Sequence, residues 1–294
     1  VGVPAPDAIH ARAHAKVNLA LAVGPPLPPG GVHAGYHPIA SWMHAIDLHD
    51  EITLTHAAET RYDLAWADGT PIDWAPDADL CVRAHRALES LTGRTLPILL
   101  RVRKSIPAGG GLGGGSADAG AVLLALRDLF ALELDDRTLA ACAHAVGTDI
   151  PFFVDPDAWR AGQAPRPAIV SGLGDRIERT ERRSHPLTLI CPPFGCPTGA
   201  VYRAFDADPT RICDEAKVRA LAAGPIDPHA LFNDLTGPAE RVEPRLHELR
   251  TQLGDALGLP VQVSGSGSTL FCFAAAETVR RVAPGSRVIS TVLL

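Results

Sequence analysis

The chain has 294 residues, 46% of them hydrophobic and 20% charged, the balance of an ordinary globular protein and not of a disordered or fibrous one. A formal charge of −6 provides no sequence-wide basic field, so the sequence argues against a nucleic-acid partner or an anionic membrane surface, and no local basic patch is visible. This length is close to the size at which a single core stops growing, which predicts two domains.

In chain order, residues 10–23 alternate polar and apolar with period two and predict a strand. The Pro/Gly-rich residues 24–35 predict a loop, and 39–46 and 50–56 two further strands. Residues 77–91 place apolar side chains at helical spacing behind acids and predict a helix, while 97–106 predict a strand running into a glycine-rich loop. Helices are predicted over 116–130 and 136–146, and a short strand or turn over 149–154. Pro, Gly and polar residues cluster at 155–167, which sets the expected boundary between a domain of residues 1–160 and one of 161–294. Beyond it, 168–170, 186–191, 260–264 and 269–274 read as strands, and 214–222 and 238–257 as helices. Strands interleaved with helices, without strict β-α-β alternation, predict an α+β fold.

Cys81, Cys142, Cys191, Cys196, Cys213 and Cys272 show neither C-x-x-C spacing nor the density of a disulfide scaffold. They predict buried thiols in a reducing compartment and argue against zinc. The most apolar stretches, 17–23 and 119–126, are far short of a bilayer span, and no signal-peptide pattern precedes the first of them. A cytoplasmic location follows as the expectation, and Val1 in place of Met is read as a trimmed start. Of 27 cationic residues only Lys16, Lys104 and Lys217 are lysine, so each retained ammonium is a hint that its compact, tunable charge is wanted.

The most informative tract is 106–118 (IPAGGGLGGGSAD), where six glycines fill seven positions between a strand and a helix. Glycine lets a backbone take positive φ and approach a ligand closely, and the helix N-terminus that follows adds its dipole, so the physical reading is a phosphate site. A plain flexible turn fits less well beside a strand and an amphipathic helix. The tract lacks the Gly-Lys-Ser/Thr of a Walker loop, because Gly115 stands where lysine is required. Gly109, Gly111 and Gly114 satisfy G-x-G-x-x-G, but Glu133 lies between two predicted helices and not at the end of a second strand, so a dinucleotide site is disfavoured.

This tract resembles the ATP-binding loop of the GHMP kinases, the family of galactokinase, homoserine kinase and mevalonate kinase. Residues 14–21 (HAKVNLAL), 35–52 (GYHPIASWMHAIDLHDEI), 146–154 (VGTDIPFFV), 232–244 (FNDLTGPAERVEP) and 263–271 (VSGSGSTLF) are similar to further motifs of one branch of that family, in order and spacing. The resemblance covers nearly the whole chain. It implies two α+β domains with ATP and substrate in the cleft between them. It also implies transfer of a phosphoryl group from ATP to the C2 hydroxyl of 4-diphosphocytidyl-2-C-methyl-D-erythritol, in the methylerythritol phosphate route to isoprenoids. The alternatives are another small-molecule kinase of the family, of homoserine or mevalonate type, and a non-catalytic binding module. A monomer or homodimer is expected.

Carried over position by position, the resemblance implies Lys16 and Asp149 as the catalytic pair, Asp149 orienting the substrate hydroxyl proton and Lys16 offsetting γ-phosphate charge. It implies ATP contacts from Pro107, Gly109, Gly110, Gly111, Gly113, Gly114, Gly115 and Ser116. It implies substrate contacts from Asn18, Gly265 and Gly267, with Tyr36 and Tyr202 sandwiching the cytosine and His37 reading its edge. Bland roles stand beside each: a solvated strand lysine, an Asx turn before Pro151, a half-buried tyrosine, simple glycine turns. Ser116 as a plain helix cap and Ser116 as a phosphate or magnesium contact are equal alternatives. No carboxylate is evident as a metal ligand, so Mg2+ is expected to ride on ATP, and the remaining histidines read as surface or core residues. Three positions depart from the family pattern: Ala117 where a second serine is common, Thr148 where serine or alanine is usual, and Asp79 where asparagine is frequent before leucine.

Overall fold

A computed structural model describes residues 6–207 and 212–294; the chain start discussed above lies outside them. Two compact units are present, and the chain passes between them several times. The first holds residues up to Ala15 with Leu48–Ile106 and Gly113–Pro165, and the second holds Lys16–Asp47, Pro107–Leu112 and Arg166–Leu294. Strands β1 (Ala8–Val23) and β2 (Ile39–His56) contribute to both.

In the first unit β4 (Ile98–Lys104) pairs antiparallel with the second half of β2, Glu51 opposite Arg103 and His56 opposite Ile98. On its other edge β3 (Arg61–Trp66) runs parallel to it. Ile52, Leu54, Ile98, Leu100 and Val102 alternate inward with the period of two that a half-buried strand requires. Helices α1 (Leu80–Thr92) and α2 (Gly114–Leu129) pack on each other in the same unit, followed by α3 (Asp136–Val146), α4 (Ile150–Phe153) and α5 (Pro156–Arg160). Helix α2 is buried on nearly every side, which accounts for its run of apolar residues.

In the second unit β5 (Ala168–Gly172) pairs antiparallel with the first half of β2 and with β6 (Arg176–Arg179). A separate antiparallel sheet has the order β11 (Arg287–Val292), β7 (Pro186–Cys191), β10 (Leu270–Cys272), β9 (Gln262–Val263). The short β8 (Phe232–Asn233) joins the end of β1 in parallel, Ala20 opposite Phe232. Helices α6 (Thr198–Asp206), α7 (Glu215–Ala223), α8 (Thr236–Val242), α9 (Pro244–Leu257) and α10 (Ala276–Val282) complete the unit. Val201, Phe205, Leu246, Leu253 and Val279 from three of these helices share a core with Ile190, Val263 and Leu270 of the sheet. The class is α+β, as the pattern of elements predicts.

Several predicted elements are redrawn. Residues 39–46 and 50–56 form one strand, because the polar Asp47 and His49 sit in β2 without interrupting its backbone. Residues 149–154 contain a helical turn in which Pro151 occupies an early position that needs no N–H. The helix predicted over 238–257 is two helices, broken at Glu243, whose extended φ/ψ of −133°/90° is what the following Pro244 favours. No helix among the described residues is long and apolar enough to cross a membrane.

Candidate active site

Alternation along β1 puts Lys16 and Asn18 on one face. Lys16 is 3% exposed, and its Nζ donates to Asn18 Oδ1 (2.5 Å) and to the Gly111 carbonyl (2.9 Å). The Asn18 amide donates in turn to Ser41 Oγ (2.8 Å), which donates to the Ala20 carbonyl (2.8 Å), so the chain of donors fixes the Asn18 oxygen toward the ammonium. The Lys16 backbone N–H also donates to Leu112 O (2.9 Å). A solvated strand lysine is therefore ruled out: the side chain is strapped to the first half of the glycine-rich loop.

That half lies against the second glycine segment. Ser264 Oγ donates to the Gly111 carbonyl (3.0 Å), and Thr269 N donates to Gly110 O (3.2 Å). A Cβ on Gly111, at φ +76°, would stand 2.1 Å from Ser264 O, and one on Gly110 would stand 2.4 Å from Thr269 Oγ1. Gly265, at φ +57°, would place a Cβ 3.3 Å from Lys16 Nζ and 3.4 Å from Asn18 Oδ1. Gly267 donates to Ser264 O (2.9 Å) and closes the turn. Asn233, which sequence reasoning did not single out, holds this turn: its amide donates to Val263 O (2.8 Å) and Gly265 O (2.7 Å), and its oxygen accepts from Leu235 N (2.9 Å). Its only signal was membership of the 232–244 motif. Pro107 and Gly109 complete the second unit's share of the loop, Gly109 in a left-handed conformation.

The other half of the loop opens α2 in the first unit. The cap is Gly113 at φ +71°, with no side-chain hydrogen bond, and the helix starts at Gly114. Ser116 is therefore not the cap residue. It sits inside the first turn with Gly114 and Gly115, where backbone N–H groups have no intrahelical acceptor. Gly114 packs tightly on Ile106, whose Cγ2 would be 2.9 Å from an added Cβ. Ala117 is 2% exposed, so the hydroxyl missing at this position would have been buried. Asp149 caps α4 from an αR conformation without a side-chain cap bond, half-buried, with Thr148 beside it.

The retained Lys104 and the departure at Asp79 explain each other. Lys104 Nζ lies 2.5 Å from Asp118 Oδ2 and 3.3 Å from Asp79 Oδ2, and Asp79 also accepts from Cys81 N and Trp74 Nε1, both at 3.0 Å. Burial opposes ionisation of Asp79, but Lys104 and these donors outweigh it and hold its pKa below the usual value. Burial likewise opposes the charge on Lys104, and Asp118 and Asp79 raise its pKa above that of an ordinary lysine. The third lysine, Lys217, packs its ammonium 3.9 Å above the Phe232 ring.

In the second unit the His37 side chain is 5% exposed, with Nδ1 2.9 Å from Gly24 O and Nε2 3.2 Å from Asp206 Oδ1. Its ring meets Tyr202 at 5.0 Å and the edge of Phe205 at 5.6 Å. Tyr202, Phe205 and Asp206 share one face of α6 at i, i+3 and i+4, so the unpredicted helix supplies two unpredicted neighbours of His37. Tyr36 is 51% exposed and edge-on to His33 at 5.7 Å. In the first unit the rings of His14 and His49 lie 5.2 Å apart. A cavity of about 530 Å³ along the start of β1, lined by His10, Arg12, His14, Glu51, Thr53 and Trp159, includes none of the expected site residues.

Residues 79–155 match the GHMP kinases N terminal domain. A 4-diphosphocytidyl-2-C-methyl-D-erythritol kinase of Caulobacter vibrioides is 36% identical over 92% of this chain and 91% of its own length. A crystal structure of 4-(cytidine 5'-diphospho)-2C-methyl-D-erythritol kinase superposes with a TM-score of 0.73 at 31% identity, covering 97% of this chain and 99% of that one. A homoserine kinase from Cytophaga hutchinsonii, at 16% identity and a TM-score of 0.67, shares the fold. The chain belongs to the 4-diphosphocytidyl-2-C-methyl-D-erythritol kinase family, within the GHMP kinases.

Proposed function

We infer that this chain is an ATP-dependent small-molecule kinase that phosphorylates the C2 hydroxyl of 4-diphosphocytidyl-2-C-methyl-D-erythritol, a step in isoprenoid precursor biosynthesis. Beside the relatives, the observation that carries this reading is the Lys16 ammonium, buried between Asn18 and the carbonyl of Gly111 in the glycine-rich loop. Phosphoryl transfer asks chiefly for positioning and for positive charge facing the transferred group. Lys16 supplies that charge, and Asp149 accepts or orients the hydroxyl proton; in a loose transition state the proton leaves late, so a carboxylate suffices. The first-turn N–H groups of Gly114, Gly115 and Ser116, which lack an i−4 acceptor within the helix, and the loop from Pro107 to Gly113 bind the ATP phosphates, with the dipole of α2 behind them. Magnesium arrives on ATP.

On the substrate side, Tyr36 and Tyr202 stack on the cytosine and His37 reads its edge through Nε2, the nitrogen that faces Asp206 here. Gly265 and Gly267 let the second turn approach the sugar alcohol. Along the sequence, residues 1–160 carry the ATP loop, the catalytic pair, Asn18, Tyr36 and His37, and 161–294 carry the second turn and Tyr202. A cytoplasmic location belongs to the same proposal.

The test is ADP release by the purified chain with magnesium and ATP, comparing 4-diphosphocytidyl-2-C-methyl-D-erythritol with homoserine and mevalonate. Turnover on the cytidine compound alone is expected. Turnover on another alcohol would discard the base-recognition roles, and ATP binding without turnover on any would make the chain a binding module.

A further inference from the structure

Directly behind the ATP loop the first unit buries three carboxylates around a single ammonium. Asp50, Asp79 and Asp118 are 1%, 4% and 0% exposed, and Lys104 is 5% exposed. Asp50 Oδ1 accepts from Ser105 N (2.5 Å) and Ile106 N (2.8 Å), the two residues that lead from β4 into the loop. In the second turn of α2, Asp118 Oδ2 accepts from Lys104 Nζ, and its Oδ1 meets no donor group among the described residues. The Asp118 and Asp50 carboxyls lie near enough to act on each other electrostatically, and to exchange a hydrogen bond once either holds a proton. Two nearby carboxylates repel, and a fully buried oxygen without a donor is costly. One proton between them removes both penalties.

We propose that Asp50 and Asp118 share a single proton, and that the resulting O–H···O link is a positioning element that ties the end of β4 to the first turns of α2. Burial favours the neutral form of both acids, more strongly than Lys104 favours ionisation. The other groups facing the pair are Asp79, which is held by Lys104, Cys81 N–H and Trp74, and the Cys81 thiol, which burial keeps protonated. The link bears on ATP because Ile106, fixed by Asp50, is the residue on which Gly114 packs. Loss of the link frees the first-turn N–H groups to drift. Asp50 and Asp118 are positioning residues in this account, and their effect on ATP rests on the loop reading given above.

Infrared difference spectra of the full chain at neutral pH, wild type minus Asp118→Asn, are expected to show the C=O stretch of a protonated carboxyl. Carboxylate bands alone would overturn the shared proton. Binding of magnesium-ATP, followed calorimetrically without turnover, reads the positioning role. Asp118→Asn should stay within about threefold of wild type, since its amide donates to Asp50 while its oxygen still accepts from Lys104, and Asp118→Ala should bind at least about tenfold more weakly. Equal loss in both variants, or none in either, would overturn that role. Where Asp118→Ala does not fold, Asp50→Asn replaces it: its amide donates to Asp118, so the band should vanish and affinity should persist, and a persisting band would overturn the assignment. A wild-type chain that binds no ATP would end the loop reading and the positioning role with it, and the band would still decide the shared proton.

Discussion

Burying an ammonium costs several kcal/mol unless oxygen acceptors meet it, and Lys16 Nζ donates to the Asn18 amide oxygen and the Gly111 carbonyl. Lys16→Ala is expected to lower turnover by at least about 100-fold, and Lys16→Arg should not restore it, because a guanidinium fork does not fit the site of a compact ammonium. Asp149→Asn should reduce kcat by about 100- to 10,000-fold while ATP still binds. Near-normal kcat in either variant would remove that residue from the chemistry. His37 makes a different kind of claim, about recognition. His37→Ala should raise KM for the cytidine substrate far more than KM for ATP, and equal shifts in the two would leave it no part in reading the base.

Glycines that look alike in the one-dimensional tract have unlike duties once the elements are assembled. Gly111 has no room for a side chain and a left-handed φ, whereas the nearest atom to a Cβ on Gly115 is Leu80 Cδ1 at an ordinary 3.5 Å. Gly111→Ala should therefore lower the melting temperature sharply, while Gly115→Ala should leave it unchanged or raise it, as alanine is favoured over glycine in a helix by about 1 kcal/mol. Equal melting temperatures for the two variants would mean that the approach of Ser264 is not needed. Period and punctuation made β1, α1, α3 and β7 readable, since each has its apolar spacing and an Asp, Gly or Pro at an end. The short elements escaped for physical reasons. Helix α6 buries only Val201 and Phe205 and has no side-chain cap, so no sequence signal marks it, and with it went Phe205 and Asp206 beside His37. Asn233 escaped because its role is to satisfy two carbonyls of a distant turn, which no local pattern encodes. Lys16, Asn18 and the glycine run were legible because motif order and lysine scarcity point at them independently of any packing.

At the scale of the whole molecule, response to pH draws on His44, which lies within the 35–52 motif but has no site role there. His44 is fully buried in β2, edge-on to Trp42 at 5.4 Å, and neither ring nitrogen has a hydrogen-bond partner among the described residues. Burial, with Arg183 and then Arg182 adding repulsion, drives its pKa from 6.5 down to about 3. A folded-state value below the unfolded one means that the unfolded chain binds the extra proton first as pH falls, so stability is complete above pH 6.5 and drains away between there and about pH 3. At roughly 1.4 kcal/mol per pH unit, this amounts to about 2 to 3 kcal/mol by pH 4.5. The depressed carboxylates Asp63 and Asp79 lose their contribution only nearer their ordinary range, and Asp50 and Asp118, whose pKa values are raised, act in the opposite direction, so the upper part of the window belongs to His44. Urea unfolding of wild type and His44→Leu at pH 7 and 4.5 isolates it. The wild type should lose about 2 to 3 kcal/mol more than the variant between the two conditions, and parallel losses would place the acid sensitivity of the chain elsewhere.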